Sequence, residues 1–401
     1  MSTASNLLSA GDLGTFRGGS GFPVRYQGQK SGELPFFKVS DMNNDGNELF
    51  MSRANNYISE AQRKTLGAVR VPAQAIVFAK VGAAVFLERK RILTQDSCID
   101  NNMAAFIVDK SKIDVRFAHY LLTAFALSDL VAVGALPSLN GRQLRSIPLL
   151  VPTDLAEQRR IVATLADADE LISTIERLIA KKRAIKQGMM QQLLAGRTRL
   201  PGFHGRWSTI RLSDLLIPRA ERPIDGQELE VLSCSKHLGF VRSLDYFKNQ
   251  VFSRDLSSYK VIRRGDIGYP ANHIEEGSIG VQEEFEAALV SPIYVVLSPL
   301  PGVDSYFLQR QLKLDTYRQV FAKATNASVD RRGSLRWPEF SQIEVLMPEE
   351  QEQRAVAAVL RSLDSELSLI GKRLDKARAI KAGMMQQLLT GHTRLSVEAS
   401  V

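Results

Sequence analysis

Residue types able to read a polyanion with patterned edges fall in two parts of this chain. In the first part they are Lys38, Ser40, Arg63, Lys64, Lys80, Arg89, Lys90, Arg91, Asn140 and Arg142. In the second they are Ser235, Lys236, Lys248, Arg254, Lys260, Asn272, His273, Asn326, Arg331, Arg332 and Arg336. The surrounding text places them in loops or at strand ends, where Lys and Arg reach phosphates or guanine and Asn can face adenine. Most single charges on a protein surface only carry water, so fewer than about half of these are expected to touch nucleic acid. Tyr259, Tyr269 and Trp337 read as core or rim aromatics. Catalysis has no constellation to support it. The chain lacks a GxxxxGK[ST] phosphate loop, an HExxH pair, a paired-Cys metal spacing and the Asn-Pro-Pro-aromatic segment of amino-methyltransferases. The run Gly18-Gly19-Ser20-Gly21 opens no helix after a strand, so it reads as a flexible loop. His119, His204, His237, His273 and His392 are scattered, and no nucleophile and base pair is suggested. No cofactor or metal is therefore expected on this chain.

A net charge of +9 over 401 residues gives a moderate positive field suited to a polyanion. Cys98 and Cys234 stand alone, which argues against a disulfide framework or thiolate metal site and fits a reducing compartment. The opening MSTASNLLSAGDL lacks a basic region followed by a long apolar core, and no apolar run approaches membrane-spanning length. The expectation is a soluble cytoplasmic protein with no membrane partner.

The elements that must carry these residues are organised as a duplication. Arg183 to Leu200 reads RAIKQGMMQQLLAGRTRL and Arg378 to Leu395 reads RAIKAGMMQQLLTGHTRL, an offset of 195 residues shared by the EQR triplets at Glu157 and Glu352. From Met1 to Pro152, short runs such as Phe36 to Val39, Ala75 to Ala79 and Met103 to Val108 are divided by Gly, Asn and Asp clusters, the texture of an α+β or mostly β globule with irregular loops. A helical insert is predicted at Arg116 to Val133. Runs at Glu230 to Leu232, Val261 to Ile267 and Tyr294 to Leu297 give a second globule of similar texture. Gly11-Asp12-Leu13 and Ser138-Leu139 have echoes in Ser213-Asp214-Leu215 and Ser334-Leu335, which points to common descent of the globules.

After Thr153 and Asp154, good helix caps, apolar residues recur at three and four alternately up to the stop at Gly196. The predicted helix of about 40 residues is about 60 Å long at 1.5 Å per residue, and its narrow stripe needs a partner helix. That partner is the second copy. The predicted seam comprises Leu165, Ile172, Ile175, Ile179, Met189, Leu193, Leu360, Leu367, Ile370, Leu374, Met384 and Leu388, packed antiparallel. Met190 and Met385 are read as core beside it.

With the repeat in place, the chain resembles the specificity subunit of a type I restriction-modification system. The resemblance rests on the order of parts: globule, helix opening after Pro152 with Glu157-Gln158, second globule, helix opening after Pro348 with Glu352-Gln353. Each helix carries an Asp one residue after a seam position (Asp169 after Ala168, Asp364 after Leu363, both in the apolar stripe) and ends in GMMQQLL followed by Thr-Arg-Leu. The TRLPGF wording at Thr198 to Phe203 resembles the family's join between helix and second globule. It implies two target-recognition domains, 1–152 and 198–348. Spacer helices at 153–197 and 349–396 form an antiparallel coiled coil with an internal pseudo-two-fold repeat, and a tail follows at 397–401. It implies that the domains read an interrupted double-stranded DNA target. It also implies that two methyltransferase (modification) subunits dock on the helices, that restriction and translocase subunits join through them, and that methylation and cleavage belong to those polypeptides. S-adenosylmethionine, and ATP with Mg where a restriction subunit is present, are then expected on the partners.

The pattern of identity supports docking. Helices that packed only on each other would keep the stripe and let outer faces drift, yet Lys186, Gln191, Gln192, Thr198 and Arg199 match Lys381, Gln386, Gln387, Thr393 and Arg394. One partner bound twice about a pseudo-two-fold axis requires that, although recent duplication alone would leave the same trace. The docking candidates are Arg183, Lys186, Gln191, Arg378, Lys381 and Gln386. Among the basic neighbours, Glu176 has no cation at helical spacing, whereas Asp375 can reach Arg378. Divergent globules imply different half-sites, hence an asymmetric bipartite target. The alternative is a coiled-coil adaptor whose globules bind protein.

Overall fold

A computed structural model of the chain describes residues 5–131, 137–224, 228–247, 249–327 and 334–395, with the side chains of 326 and 327 left aside. Its compact units cut across the repeat: Met1–Glu176 with Arg373–Val401 form the first, and Arg177–Lys372 the second. The tail at 397–401 lies outside the described residues.

In the first unit the strands that matter are β1 (Ser5–Ser9), β2 (Gly14–Gly18), β3 (Ile76–Ala79), β4 (Lys90–Leu93), β5 (Met103–Val108) and β6 (Pro148–Pro152). β1 pairs with β6, while β2, β5, β3 and β4 form a sheet in that order. β3 is its centre: Ile76 lies opposite Ile92 of β4 on one side and Phe106 of β5 on the other. All four β3 residues are buried, as a strand covered on both faces requires. Helix α1 (Val115–Ala124) is capped by Asp114, whose carboxylate accepts from the Arg116 and Phe117 amides. The sequence predicted a helix to Val133, but it stops at Ala124. The Glu88 carboxylate takes the amides of Leu127 at 3.1 Å and Ser128 at 2.7 Å, which turns the chain aside. The strand predicted at Phe36 to Val39 runs from Leu34 to Phe37, because the Asp41 carboxylate draws the Lys38 amide into a 3₁₀ turn at 2.7 Å.

The second unit repeats the plan with β7 (Ser208–Arg211), β8 (Leu216–Arg219), β9 (Ile267–Pro270), β10 (Gly280–Val281), β11 (Tyr294–Pro299) and β12 (Glu344–Met347). β7 pairs with β12, and the sheet order is β8, β11, β9, β10. Ile267 lies between Val281 and Leu297, the place Ile76 has in the first unit. The run Val261 to Ile267, predicted as one strand, is broken where the Asp266 carboxylate accepts the Arg263 amide at 2.9 Å. Helix α3 (Ser305–Leu312) stands where α1 stands.

Individual hydrogen bonds repeat too. The Lys80 carbonyl accepts from the Leu139 amide at 2.8 Å, and the Ala271 carbonyl from Leu335 at 2.8 Å. The Leu13 carbonyl accepts from Asp109 at 2.7 Å, and that of Leu215 from Leu300 at 2.9 Å. Leu13, Leu139, Leu215 and Leu335 are all buried, so the short echoes in the sequence mark equivalent points of two like folds.

The long helices are α2 (Leu155–Leu193), whose first turn is capped by Asp154 through the Ala156 amide at 2.8 Å, and α4 (Glu350–Leu389). α2 closes at Gly196, which holds φ +65°. Within the first unit, Ile161 and Leu165 of α2 share a core with Met384, Leu388 and Leu389 of α4, and Glu176 pairs with Arg378. Within the second, Met189, Leu193 and Leu194 share a core with Val356, Ala357 and Leu360, and Lys182 pairs with Glu366 at 2.7 Å. In each unit the two half-helices therefore run antiparallel. Of the remaining seam residues, Ile179, Ile370 and Leu374 are buried, and Ile172, Ile175 and Leu367 are half-buried.

Candidate nucleic-acid interface

Several of the sequence-chosen residues meet in a cleft of about 620 Å³ in the second unit. Arg219 at the end of β8, Lys260, Asn272 just beyond β9, and Arg336 line it, with Trp337, Pro218, Pro292 and Ile293 as apolar walls. The Lys260 ammonium donates to the Tyr294 carbonyl at 2.5 Å. Burial first, and then the charge of Arg336, hold this ammonium below its ordinary pKa. Arg219 reaches the buried Asp266 at 3.7 Å and Ser298 at 3.1 Å. Three cations and an amide around an apolar wall suit a phosphate or a base edge. Arg219 escaped the sequence reading because it follows Ile-Pro at the end of a strand, with no loop signal around it.

Other candidates turn out to hold the fold together. Lys90 is buried, with its ammonium bound by Glu88 and by the Phe125 carbonyl at 3.1 Å, and burial lowers its pKa. Arg63 is clamped to Glu60 at 2.8 Å and to the Ala68 carbonyl at 2.8 Å. Ser235 is buried and takes the His237 and Leu238 amides across a hairpin. Asn140 caps a short helix through the Gln143 amide at 3.0 Å. Arg91 donates to the Lys90 carbonyl, Arg89 to Asn43, and Lys38 to Gln27. For these residues the local partner accounts for the side chain. A polar residue at a strand end does the same work whether or not a ligand follows, which is why sequence could not separate the two roles.

Ser40, Lys64, Arg142, Lys236, Arg254 and Arg336 are exposed, and Lys80 and Asn272 are half-buried. His273 is exposed beside Glu276 at 3.2 Å. Lys248, Arg331 and Arg332 lie outside the described residues, as does the side chain of Asn326. Cys98 and Cys234 are inert: burial pushes their thiols up to about 11 and about 12.

Residues 7–186 match the type I restriction modification DNA specificity domain family. The type I restriction enzyme MjaVIII specificity subunit of Methanocaldococcus jannaschii is 23% identical over 335 residues, covering 78% of this chain and 76% of that protein. The putative MjaX specificity subunit of the same organism is 22% identical over 319 residues, covering 73% of this chain and 72% of that one. The fold is similar to the crystal structure of a type I restriction-modification S subunit from M. genitalium, with a TM-score of 0.59 at 14% identity, covering 98% of this chain and 97% of that one. A chain from a structure of type I system assembly gives a TM-score of 0.59 at 14% identity, covering 97% and 99%. Residues 7–186 thus carry a type I specificity domain, and most of the chain is similar to type I specificity subunits. The adaptor reading is left without support.

In this chain the opening Glu-Gln of each long helix is a fastening. Gln158 is buried; it accepts from the Asp114 amide at 2.8 Å and donates to the carbonyls of Lys112 and Pro152. Gln353 accepts from Asp304 at 3.0 Å and donates to Gly302 and Pro348. Asp114 and Asp304 cap α1 and α3, so one amide side chain locks helix to globule in each unit. Arg199 binds the buried Glu352 and lies over Trp207 at 5.6 Å.

These contacts correct part of the docking argument. Lys186 is already paired with Asp364, Lys381 with Asp169 at 2.5 Å, and Arg199 with Glu352, so identity at these positions has an internal cause. Arg378 pairs with Glu176 at 2.6 Å rather than with Asp375, which also supplies the cation that Glu176 lacked. Among the residues that stay exposed and identical in the two copies are Arg183, Ile185, Gly188, Gln191, Gln192 and Thr198, matching Arg378, Ile380, Gly383, Gln386, Gln387 and Thr393. Ile185 is 42% exposed and Ile380 52% exposed. No described helix is long and apolar enough to cross a membrane.

Proposed function

We propose that this chain is a type I specificity subunit that binds double-stranded DNA at two unlike half-sites and presents modification subunits to the bound target. The observation that carries this reading is the contrast between scaffold and surface. The two units share a four-strand order and matching backbone hydrogen bonds, while equivalent turns carry different side chains, Phe86 and Leu87 in the first and Glu275 and Glu276 in the second. Copies that read one palindrome would have no reason to diverge there. The exposed face written twice on α2 and α4 is the docking surface for two copies of the methyltransferase subunit. Restriction and translocase subunits join through those. Methylation and cleavage then belong to the partners, which carry S-adenosylmethionine and, with a nuclease present, ATP and Mg. This chain has no catalytic role and works in the cytoplasm.

Long-read mapping of methylated adenines, in cells with and without this chain, tests the proposal. An interrupted asymmetric motif that disappears with the chain is expected. A continuous palindrome, or a methylation pattern unchanged by its loss, overturns it.

A further inference from the structure

The turn that joins the central strand to its neighbour is the same in the two units, yet it is dressed differently. In the first unit a 3₁₀ turn, Ala83–Leu87, joins β3 to β4; in the second, Ile274–Glu276 joins β9 to β10. Each ends on a left-handed residue: Gly277 at φ +94° in the second unit, but Glu88 at φ +52° in the first. A glutamate in that region is strained and persists only where its surroundings enforce it. Here they do. The Glu88 carboxylate accepts from the Leu127 and Ser128 amides and from Lys90, and Val85 anchors the turn in the core at 2% exposure.

The braced tip holds two large apolar side chains in solvent, since Phe86 and Leu87 are each 56% exposed. Adjacent exposed apolar groups on a rigid support mark a contact surface. Its surroundings are basic. Lys80 precedes the turn and Arg89 follows it. Arg142 lies just beyond Leu139, whose amide bonds the Lys80 carbonyl at 2.8 Å. The equivalent tip in the second unit carries Glu275 and Glu276 beside His273, and carboxylates cannot enter a base stack.

We propose that Phe86 and Leu87 form an apolar wedge that inserts at one base step of the first half-site, unstacking it and bending the duplex, while Lys80 and Arg142 face the flanking phosphates. This rests on the DNA-binding reading above. The device is one-sided: the second half-site is read without a wedge, so distortion is confined to one end of the target.

The test uses the full chain with its modification subunits and the duplex identified by methylation mapping. 2-Aminopurine is placed at successive steps of the first half-site other than the methylated adenine, and a dye pair at the duplex ends. Wild type should give a several-fold fluorescence rise at one step and a shortened end-to-end distance. F86A/L87A should lose the rise and the bend and bind about ten-fold more weakly, with an unchanged salt slope because no phosphate contact is removed. F86W/L87M, which keeps the apolar volume, should restore the rise. No rise in wild type, or a rise that persists in F86A/L87A, overturns the wedge. So does a double variant that sheds the modification subunits while distorting DNA normally. A wild type that fails to bind the duplex overturns the DNA reading and the wedge with it.

Discussion

Tyr120 donates a hydrogen bond to the carboxylate of Asp169 at 2.7 Å, tying α1 of the first globule to the long helix α2. The same carboxylate takes the Lys381 ammonium of α4 at 2.5 Å, so one Asp joins three elements. The second unit repeats the node with Tyr306, Asp364 and Lys186, and adds Arg310 at 2.8 Å. The aspartate one residue beyond each seam position thus sets how each globule is held on its helix pair.

Asp364 is where acid should act on the second unit. Burial raises its carboxyl pKa, but hydrogen bonds from Lys186 and Tyr306 outweigh that and leave it below the ordinary value. Its contribution is therefore complete above the ordinary carboxylate range and is lost as pH falls through the lowered value. Asp364→Asn should cost about 2 kcal/mol at pH 7, since it strips the charge partner from two cations that are only partly solvated. Denaturant melts of wild type and variant should draw together progressively as pH falls below about 4 and through the lowered value. A difference that stays constant down to pH 2.5 would exclude this role for the node.

Gln158 and Gln353 should be intolerant of change. Truncating either leaves buried backbone groups without partners, at a cost of about 3 kcal/mol. Gln158→Glu should be no better, because it places a charge against two carbonyls. Urea unfolding of Q158A, Q158E and Q353A provides the measurement, and losses below about 1 kcal/mol would contradict the fastening role.

How much of this was legible in the sequence follows from what each signal encodes. The long helices, their caps and the apolar seam are local and periodic, so Asp154, Leu165 and Leu388 could be placed in advance. The echoes Leu13 with Leu215 and Leu139 with Leu335 were visible because buried positions resist change. The end of α1 is set at a distance, by Glu88, which no local signal reveals, whereas the strand ends at Lys38 and Arg263 are set by the carboxylates of Asp41 and Asp266 three residues on, which apolar runs do not encode. Of the candidate contacts, Lys260, Asn272 and Arg336 meet in one cleft, whereas Lys90, Arg63 and Ser235 are consumed by the fold. Residue type alone does not say whether a cation will find an internal carboxylate.

His119 gives the first unit a different acid sensitivity. Its Nε2 meets the Lys90 carbonyl at 3.1 Å. Burial, aided by the charges of Arg116 and Arg91, holds its pKa down at about 4 against an ordinary 6.5. The unfolded chain therefore takes up the proton first, and stability should decline as pH falls from about 6.5 toward 4 by roughly 3 kcal/mol in all. His119→Gln should flatten that slope in unfolding melts. An imidazole NMR titration with a midpoint near 6.5 in the folded protein would sink the argument.

The repeated outer face should lose its partner without losing its fold. Ile185→Asp and Ile380→Asp place charges on exposed positions, so melting temperatures should stay within about 3 °C of wild type. Capture of modification subunits should fall at least about ten-fold for the double variant, with each single variant removing one copy. Stoichiometry from native mass spectrometry reads this directly, and two bound copies on the double variant would refute docking there.

The cleft of the second unit should govern one half of the target only. Asn272→Ala removes a group suited to a base edge, so discrimination at one position of the second half-site should relax by about 1–3 kcal/mol, with the first half-site unchanged. Lys260→Ala and Arg336→Ala remove charges from the same cleft. If these charges meet phosphates, each should weaken binding to all sequences alike and lower the salt slope by about one. Competition binding against singly substituted duplexes separates the two outcomes, since a base contact alters the ranking of sequences and a phosphate contact does not. If relaxed discrimination instead appears in the first half-site, the assignment of this cleft to the second reader is wrong.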